Sequence, residues 1–411
     1  MNISKANLLK VNGKTMASHN ERLVLQALYE YGLLSRTEIT RVTSLSPSVV
    51  THISRRLLEQ KVIYEAGKRQ PGRGRGLVQL ALDPDAILAL SLVVDFQRIR
   101  LGAVNLEGKV AEYQRIDTSN RQFSPDAIVD AIDRFQEKLK DRWDRVMGLG
   151  LVLPGTVDPP TGKVHDVPTL SLYELDVRQE LRDRFQKPVV VENDVNALSL
   201  AEQWKSVNNS NSNVAYIYLD YGIGGSLFLN GQLFRGSHGA AGEVHYFPVL
   251  DAASGSYRHA GGLADGHAIL TALPEALGSF PPEMAAELKA AKSTVFDQLD
   301  IVVRWALKSE KVAAFVRRFA ETWGVLISAL VNMVDPDLVV VCGTLSTALP
   351  VYEDIIHRKM KDLVPGFPGS HVRVIPAQLN TGQALLVGGG ACALIESGHD
   401  FILNCGYRPE K

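Results

Sequence analysis

Residues 35–59 read SRTEITRVTSLSPSVVTHISRRLLE. Ser35 followed three positions later by Glu38 is a capping-box pattern, in which each side chain satisfies an orphaned amide at a helix start. The helix it opens is expected to bury Ile39 and Val42. Ser44-Leu45-Ser46-Pro47 interrupts that helix. Ser46 then suits an N-cap and Pro47 a first helical turn. The following helix is expected to bury Val49, Ile53 and Leu57 at intervals of four, leaving Ser48, Thr51, His52 and Arg55 on the opposite face. A short helix, a tight turn and a helix with a polar outer face form the helix-turn-helix plan. Side chains of these types reach base edges in the major groove. Ser46, at the entrance to the reading helix, joins Ser48, Thr51, His52 and Arg55 as a candidate DNA contact.

The flanks agree. Upstream, residues 20–31 place Leu23, Val24, Ala27 and Leu28 at helical spacing, and Gly32 ends the helix. Downstream, Val62–Glu65 and Leu77–Leu82 read as two strands. The loop between them, GKRQPGRGRG at 67–76, carries Lys68, Arg69, Arg73 and Arg75. Two strands around a basic glycine-rich loop make a wing. Arginines among glycines suit a narrow, strongly negative minor groove, so Arg73 and Arg75 are the candidate minor-groove contacts.

Charge divides the chain the same way. Over all 411 residues the net charge is −1, yet residues 1–82 hold 13 Lys and Arg against 5 Asp and Glu, and the remainder is acidic. A basic end on an acidic body confines contact with a polyanion to that end. No uninterrupted apolar run of about 18 residues marks a membrane span. The first residues lack the apolar core of a secretory signal. Three widely separated cysteines fit a reduced, cytoplasmic protein rather than a disulfide framework.

From Asp83 onward, strand-like runs alternate with helical ones. The first set is Ile87–Phe96, Ile99–Val104, a helix near Pro125–Leu139, and Val146–Leu153. The second is Val189–Glu192, Val214–Leu219, Ser226–Leu229, a long helix near Val312–Met333, and Leu338–Cys342. This alternation predicts an α/β body with mostly parallel sheet, long enough for two lobes around a cleft. The expected division is a winged-helix domain at 1–82 and a body at 83–411. One lobe of the body covers about 83–200 plus the C-terminal helix, and the other 201–390. Site-like features fall at strand ends: Leu153-Pro154-Gly155, the Asn193-Asp194 pair before a helix, the glycine turn 220–226, and Gly239–Glu243. Each alone reads equally well as a turn or a cap.

Taken in order, GLVLPGTVD (150–158), VENDVNALSLAE (191–202), YGIGGSLFLNG (221–231), GAAGE (239–243) and VVVCGTLS (339–346) resemble the ROK family of bacterial sugar kinases and repressors. The repressor branch carries a winged helix ahead of the same body. The resemblance implies a two-lobed actin/hexokinase-like (ribonuclease H-like) fold. It also implies that Asn193, Asp194 and Glu243 meet sugar hydroxyls, with Asp194 at the position of the family's base. Carboxylates and a carboxamide pair well with vicinal hydroxyls and leave costly unpaired groups when the wrong ligand binds.

Two family features are altered. The kinases' Asp-x-Gly-Gly-Thr phosphate turn corresponds here to Asp95-Phe96-Gln97-Arg98-Ile99, where bulky side chains replace the glycines that let a backbone approach phosphate. The family's cysteine-rich zinc motif has no counterpart, because residues 1–341 contain no cysteine and Tyr246 stands where a ligand histidine belongs. His238, His245, His259 and His267 crowd that region as the alternative metal ligands. The expectation is therefore no ATP and no zinc cofactor, and no catalytic residue. The expected function is a homodimeric, or dimer-of-dimers, DNA-binding regulator of carbohydrate genes, most simply a repressor. A monosaccharide or sugar phosphate would control it, and its partner would be a double-stranded operator. The alternatives are a body that no longer binds sugar and serves as a docking scaffold, and an active sugar kinase, which the altered turn opposes.

Overall fold

The computed structural model describes residues 13–69, 76–95, 97–118, 124–167, 170, 172–205, 212–251, 254–290 and 294–403. The N-terminal module comprises α1 (Gly13–Tyr31), β1 (Leu34–Ser35), α2 (Arg36–Thr43), α3 (Pro47–Glu59), β2 (Ile63–Arg69) and β3 (Leu77–Leu82). The Ser35–Glu38 capping box forms in both directions, and Ser46 caps α3 by accepting the Val49 amide. Strands order as β1-β3-β2, so a third, two-residue strand completes the wing sheet.

Two burial expectations need correction. In α3 the buried apolar residues are Val50, Ile53 and Leu57, while Val49 sits only partly covered on the flank. The core-facing stripe follows the i, i+3, i+7 rhythm rather than strict intervals of four, because a helix turns every 3.6 residues. In α2, Ile39 alone is buried and Val42 lies exposed. Eight residues give a helix only two turns, and one inward position suffices to anchor it.

The body begins with β4 (Leu88–Val94), β5 (Arg98–Asn105), β6 (Val110–Asp117), α4 (Asp126–Leu139), β7 (Val146–Leu153) and the short strands β8 (Thr156–Val157), β9 (Val164–Val167) and β10 (Leu172–Leu175). It continues with α5 (Arg178–Phe185), β11 (Val189–Asn193) and α6 (Asp194–Lys205). The second half holds β12 (Val214–Leu219), β13 (Ile223–Leu229), β14 (Gln232–Leu233), β15 (Pro248–Asp251), β16 (Ser256–His259), α7 (Gly261–Ala264), α8 (Gly266–Ala276), α9 (Pro282–Ala290), α10 (Val295–Ala306) and α11 (Glu310–Val334). The last elements are β17 (Leu338–Cys342), α12 (Leu349–Leu363), α13 (Gly366–His371), β18 (Arg373–Pro376) and α14 (Thr381–Glu396).

Two five-stranded sheets carry the body, ordered β11-β7-β4-β5-β6 and β14-β13-β12-β17-β18. They are mixed rather than mostly parallel. β11, β7 and β4 run parallel, as do β12, β17 and β18, but β4-β5-β6 and β12-β13-β14 are antiparallel. The cause is loop length: tight turns join the antiparallel neighbours, and only pairs separated by long connections can run parallel.

Alternation along the strands builds layers. One face of the first sheet, with Leu90, Leu92 and Leu151, packs on α4 residues Ile128, Ile132 and Phe135. One face of the second, with Ile217, Val339 and Val341, packs on α10, α11 and α12. The long helix α11 is core: Phe315, Phe319, Trp323 and Ile327 are all buried. The two remaining sheet faces, with Ala89, Val93 and Val152 on one and Tyr216, Val340 and Cys342 on the other, share a single cluster with α6 and α14. That helix pair is therefore the middle layer between the lobes. Val24, Leu28, Ile53 and Leu57 of the winged helix belong to the same cluster. Among the described residues, no helix is long and apolar enough to cross a membrane.

Candidate functional site

Two regions collect the candidate residues. The first is α3. Ser46, Ser48, Thr51, His52 and Arg55 are all exposed. Thr51 bonds back to the Pro47 carbonyl at 2.7 Å, and Ser46 and Ser48 hydroxyls lie 3.0 Å apart, so the first turn is ordered by its own side chains. His52 and Arg55 project from the next turn of the same face. Behind them, Arg56 pairs with Glu21 of α1 and fixes the helix on its support. Arg73 and Arg75 lie outside the described residues. Lys68 and Arg69 fall within β2, and Arg69 sits 3.7 Å from Glu38.

The second region is a cleft of about 770 Å³ between the two sheets, a size suited to a small polar ligand. Asn193, Asp194 and Glu243 all line it. Asn193 ends β11 and caps α6: its Oδ1 accepts the Val195 and Asn196 amides at 2.9 and 3.1 Å. Its Nδ2 donates to the Gly155 carbonyl at 3.0 Å. One amide hydrogen is left for a ligand. Behind it, buried Glu192 holds the strand end, accepting from Asn196 at 3.0 Å and pairing with Arg235 at 2.6 Å.

Asp194 Oδ1 accepts the Val195 amide at 2.9 Å. The carboxyl is surrounded by protein, and this desolvation, aided by Glu243 and Asp95, pushes its pKa up to about 6. Burial also raises Glu243, against a stabilising hydrogen bond from Thr156. Gly242, just before Glu243, has φ +89°, and a Cβ there would stand 2.4 Å from the Gly225 carbonyl oxygen. The glycine turn at 222–225 and the Gly242-Glu243 pair are thus one packed unit that presents the Glu243 carboxyl.

The turn at 95–99 is closed on itself. Asp95 Oδ1 accepts the Gln97 and Arg98 amides at 3.0 and 3.1 Å, and Oδ2 accepts Arg98 Nε at 3.0 Å. Arg100 lies 3.6 Å from the same oxygen. The Arg98 guanidinium crosses the cleft mouth to lie 5.4 Å from the Phe296 ring centre on α10 of the opposite lobe. The Gln97 and Arg98 backbone amides of this turn thus both serve the Asp95 carboxylate.

Sequence reasoning missed Asp220, treating it as the first residue of a glycine turn. It is a buried cleft residue whose Oδ2 accepts both the amide and hydroxyl of Thr344 at 2.8 Å, joining β12 to the turn after β17. Its pKa is raised by burial. The signal was the acidic residue at a strand end before glycine. Arg100 and Phe296 were missed as cleft residues, and Phe296 had no local signal because it comes from a distant helix. Among the four histidines, His245 and His267 line the cleft with Tyr246. His245 and His259 rings are 6.5 Å apart, and His267 Nδ1 lies 3.2 Å from the Tyr221 hydroxyl. Among the described residues no group of three or more His, Cys, Asp or Glu is placed to hold a metal ion.

Several known proteins are similar. The xylose repressor of Bacillus subtilis is 24% identical over 56% of this chain and 60% of its own length. The DNA-binding transcriptional dual regulator NagC of Escherichia coli is 25% identical over 56% of this chain and 57% of its own. The chain thus aligns with somewhat under two-thirds of these relatives. Among solved structures, a ROK family transcriptional regulator described as a homologue of the E. coli MLC protein superposes with TM-score 0.71 at 19% identity, covering 95% of this chain and 99% of its own. A ROK family glucokinase from Streptomyces griseus, in complex with glucose and AMPPNP, superposes with TM-score 0.62 at 24% identity over 74% of this chain and 99% of its own. The body therefore has the actin/hexokinase-like α/β fold. The ROK family sequence model matches residues 94–397, from the last residue of β4 through α14, so the second sheet and all of the first except β4 lie inside the match, and the chain belongs to the ROK family.

Proposed function

We propose that this chain is a DNA-binding transcriptional regulator of carbohydrate genes, acting as a repressor, whose cleft takes a sugar or sugar derivative and transfers no phosphate. The observation that carries the reading is the capped face of α3, where Ser46, Ser48, Thr51, His52 and Arg55 are exposed on a winged helix fused to a sugar-kinase-like cleft. Two relatives named as repressors or regulators support the direction.

The absence of catalysis is argued from Asp95. Its carboxylate caps the turn and neutralises Arg98, so the loop is not free to cradle a phosphate. Asp194 and Glu243 meet hydroxyls, and Asn193 contributes its single remaining N–H. No zinc or ATP is required. Two copies would read paired half-sites, with Arg73 and Arg75 at the minor groove. A scaffold-only body is the second reading, favoured by the consumption of most of the Asn193 amide in capping.

The test selects bound duplexes from a random pool with the full chain, then repeats the binding across a panel of neutral and phosphorylated sugars. Enrichment of a two-fold motif whose affinity moves with one sugar supports the proposal. No enrichment overturns the DNA reading, and an enriched motif indifferent to every sugar supports the scaffold.

A further inference from the structure

Helices α6 and α14 share an arrangement that neither the cleft nor the reading helix requires. Both begin at the cleft: Asp194 and Val195 of α6 and Thr381, Gly382 and Leu385 of α14 line it. Both lead to the winged helix. Trp204, in the last turn of α6, donates its indole N–H to the Tyr29 hydroxyl at 2.8 Å. Just beyond α14, Asp400 pairs with Arg22 at 2.7 Å. Tyr29 and Arg22 are both on α1. At 1.5 Å per residue, the helices span about 18 and 24 Å.

Nothing between the two ends is loose. Gly388 lets α14 meet α6 so closely that a Cβ there would stand 1.8 Å from the Ala197 carbonyl oxygen. On the other side, a Cβ at Gly150 would stand 2.0 Å from the Gly389 carbonyl oxygen. Interiors packed at this density pass a displacement on rather than absorb it. Buried polar contacts tie α6 to the second sheet as well. Ser199 and Ser226 hydroxyls lie 2.8 Å apart, and Glu202 accepts the Gln378 and Leu379 amides at 3.2 and 2.8 Å.

The linker is caught at the same end. Asp85, just after the wing, accepts from Asn105 Nδ2 at 2.7 Å, and the Leu106 amide donates to the Pro84 carbonyl at 3.2 Å. Lys205, the last residue of α6, donates to the Glu107 carbonyl of that same β5–β6 turn at 2.7 Å. The end of α6 thus touches both α1 and the turn that anchors the linker.

We infer that α6 and α14 form a rigid relay by which the state of the cleft sets the position of the winged helix, with Tyr29–Trp204 and Arg22–Asp400 as its two latches. Coupling over such a distance travels through packed, rigid elements that both ends engage. The identity of the cleft ligand rests on the sugar-responsive reading; the relay itself does not. Trp204 and Arg22 are positioning residues, since neither lines the cleft or belongs to the reading face.

The test uses the full chain and no ligand at first. Trp204→Phe removes the indole donor and keeps an aromatic ring, and Arg22→Gln breaks the other, half-exposed latch with little risk to folding. Hydrogen–deuterium exchange is followed along the chain. The relay predicts at least a threefold rise in exchange at the cleft ends, residues 194–198 and 381–386, as well as near the mutated side chains. A change confined to the neighbours of Trp204 or Arg22, in both variants, overturns it. Operator affinity is then measured with and without D-glucose, D-xylose and N-acetylglucosamine. If the wild type responds to one sugar, each variant should lose at least half of that fold-change, and an undiminished response in both refutes the relay. If the wild type responds to no sugar, the sugar-responsive reading fails while the exchange comparison still decides the relay.

Discussion

Replacing Asp194 with Asn should stabilise the empty protein and weaken its hold on sugar. The folded-state pKa of Asp194 is about 6, raised from 3.8 chiefly by desolvation. A raised acid binds its proton more tightly when folded, so stability falls as pH rises through the window from 3.8 to about 6 and stays reduced above it. The shift corresponds to an upper figure of about 3 kcal/mol at neutral pH, at about 1.4 kcal/mol per unit. Asn keeps the Oδ1 acceptor that the Val195 amide needs and carries no charge to desolvate. Thermal unfolding of wild type and Asp194→Asn between about pH 4 and pH 8 should give coincident midpoints at the acid end. At the neutral end the variant should be higher by up to roughly 6–12 °C, since about 1 kcal/mol moves a midpoint by roughly 2–4 °C in domains of moderate size. A neutral sugar donates hydroxyls to the carboxylate, so its affinity for the wild type should fall about tenfold from roughly pH 7 to pH 5, with little pH dependence in the variant. A variant less stable than wild type at every pH would refute the desolvation argument.

Arg55→Ala and His52→Ala should each weaken binding to the selected operator by about 1–3 kcal/mol and relax preference at one base position, measured by fluorescence anisotropy on a panel of single-base operator variants. Loss that is uniform across all of them would place these side chains on phosphate instead. In a coupled ADP-release assay with hexoses and ATP, the wild type should show no turnover above blank, because Asp95 closes the 95–99 turn; sustained turnover would overturn the non-catalytic reading. Gly388→Val should destabilise the body by several kcal/mol, since its Cβ starts 1.8 Å from the Ala197 carbonyl oxygen and the middle layer has backbone on that side. Wild-type unfolding behaviour in that variant would show that α14 can shift without cost.

The winged helix was legible because its signals are local. The Ser35–Glu38 box, the Ser46 cap and Gly32 act within one turn of where they stand in the sequence. Val42 was misplaced because a two-turn helix leaves open how it is rotated against its neighbours, and Val49 because strict intervals of four drift off the core face of a helix that turns every 3.6 residues. In the body, strand positions were clear from apolar runs such as Leu338–Cys342, but the antiparallel halves of both sheets were not. Strand direction is set by connection length, and the short turns after Val94 and Leu219 were read as site features rather than as hairpins. Asn193, Asp194 and Glu243 were found through a resemblance and do converge. Asp220, Arg100 and Phe296 were not found, since their meaning depends on a cleft assembled from strands and helices far apart in the chain.

On the proposed reading, the cleft's chemistry follows from what a sensor needs and a kinase does not. A phosphate cradle stabilises charge that develops during transfer, and it needs open backbone amides at the 95–99 turn. Here that turn's Gln97 and Arg98 amides are held by Asp95, while Arg98 reaches across to Phe296 on the other lobe. The same substitution that removes the cradle therefore adds a contact between the lobes. A sensor needs only that its ligand bind two arrangements with different affinity. Asp194 supplies such a difference: its carboxylate is held at a desolvation cost in the empty cleft, and a hydroxyl donor offsets that cost only where Asp194 and Glu243 can reach it together. Since Asp194 is the first residue of α6, the preference is expressed at the start of the helix whose other end holds Tyr29.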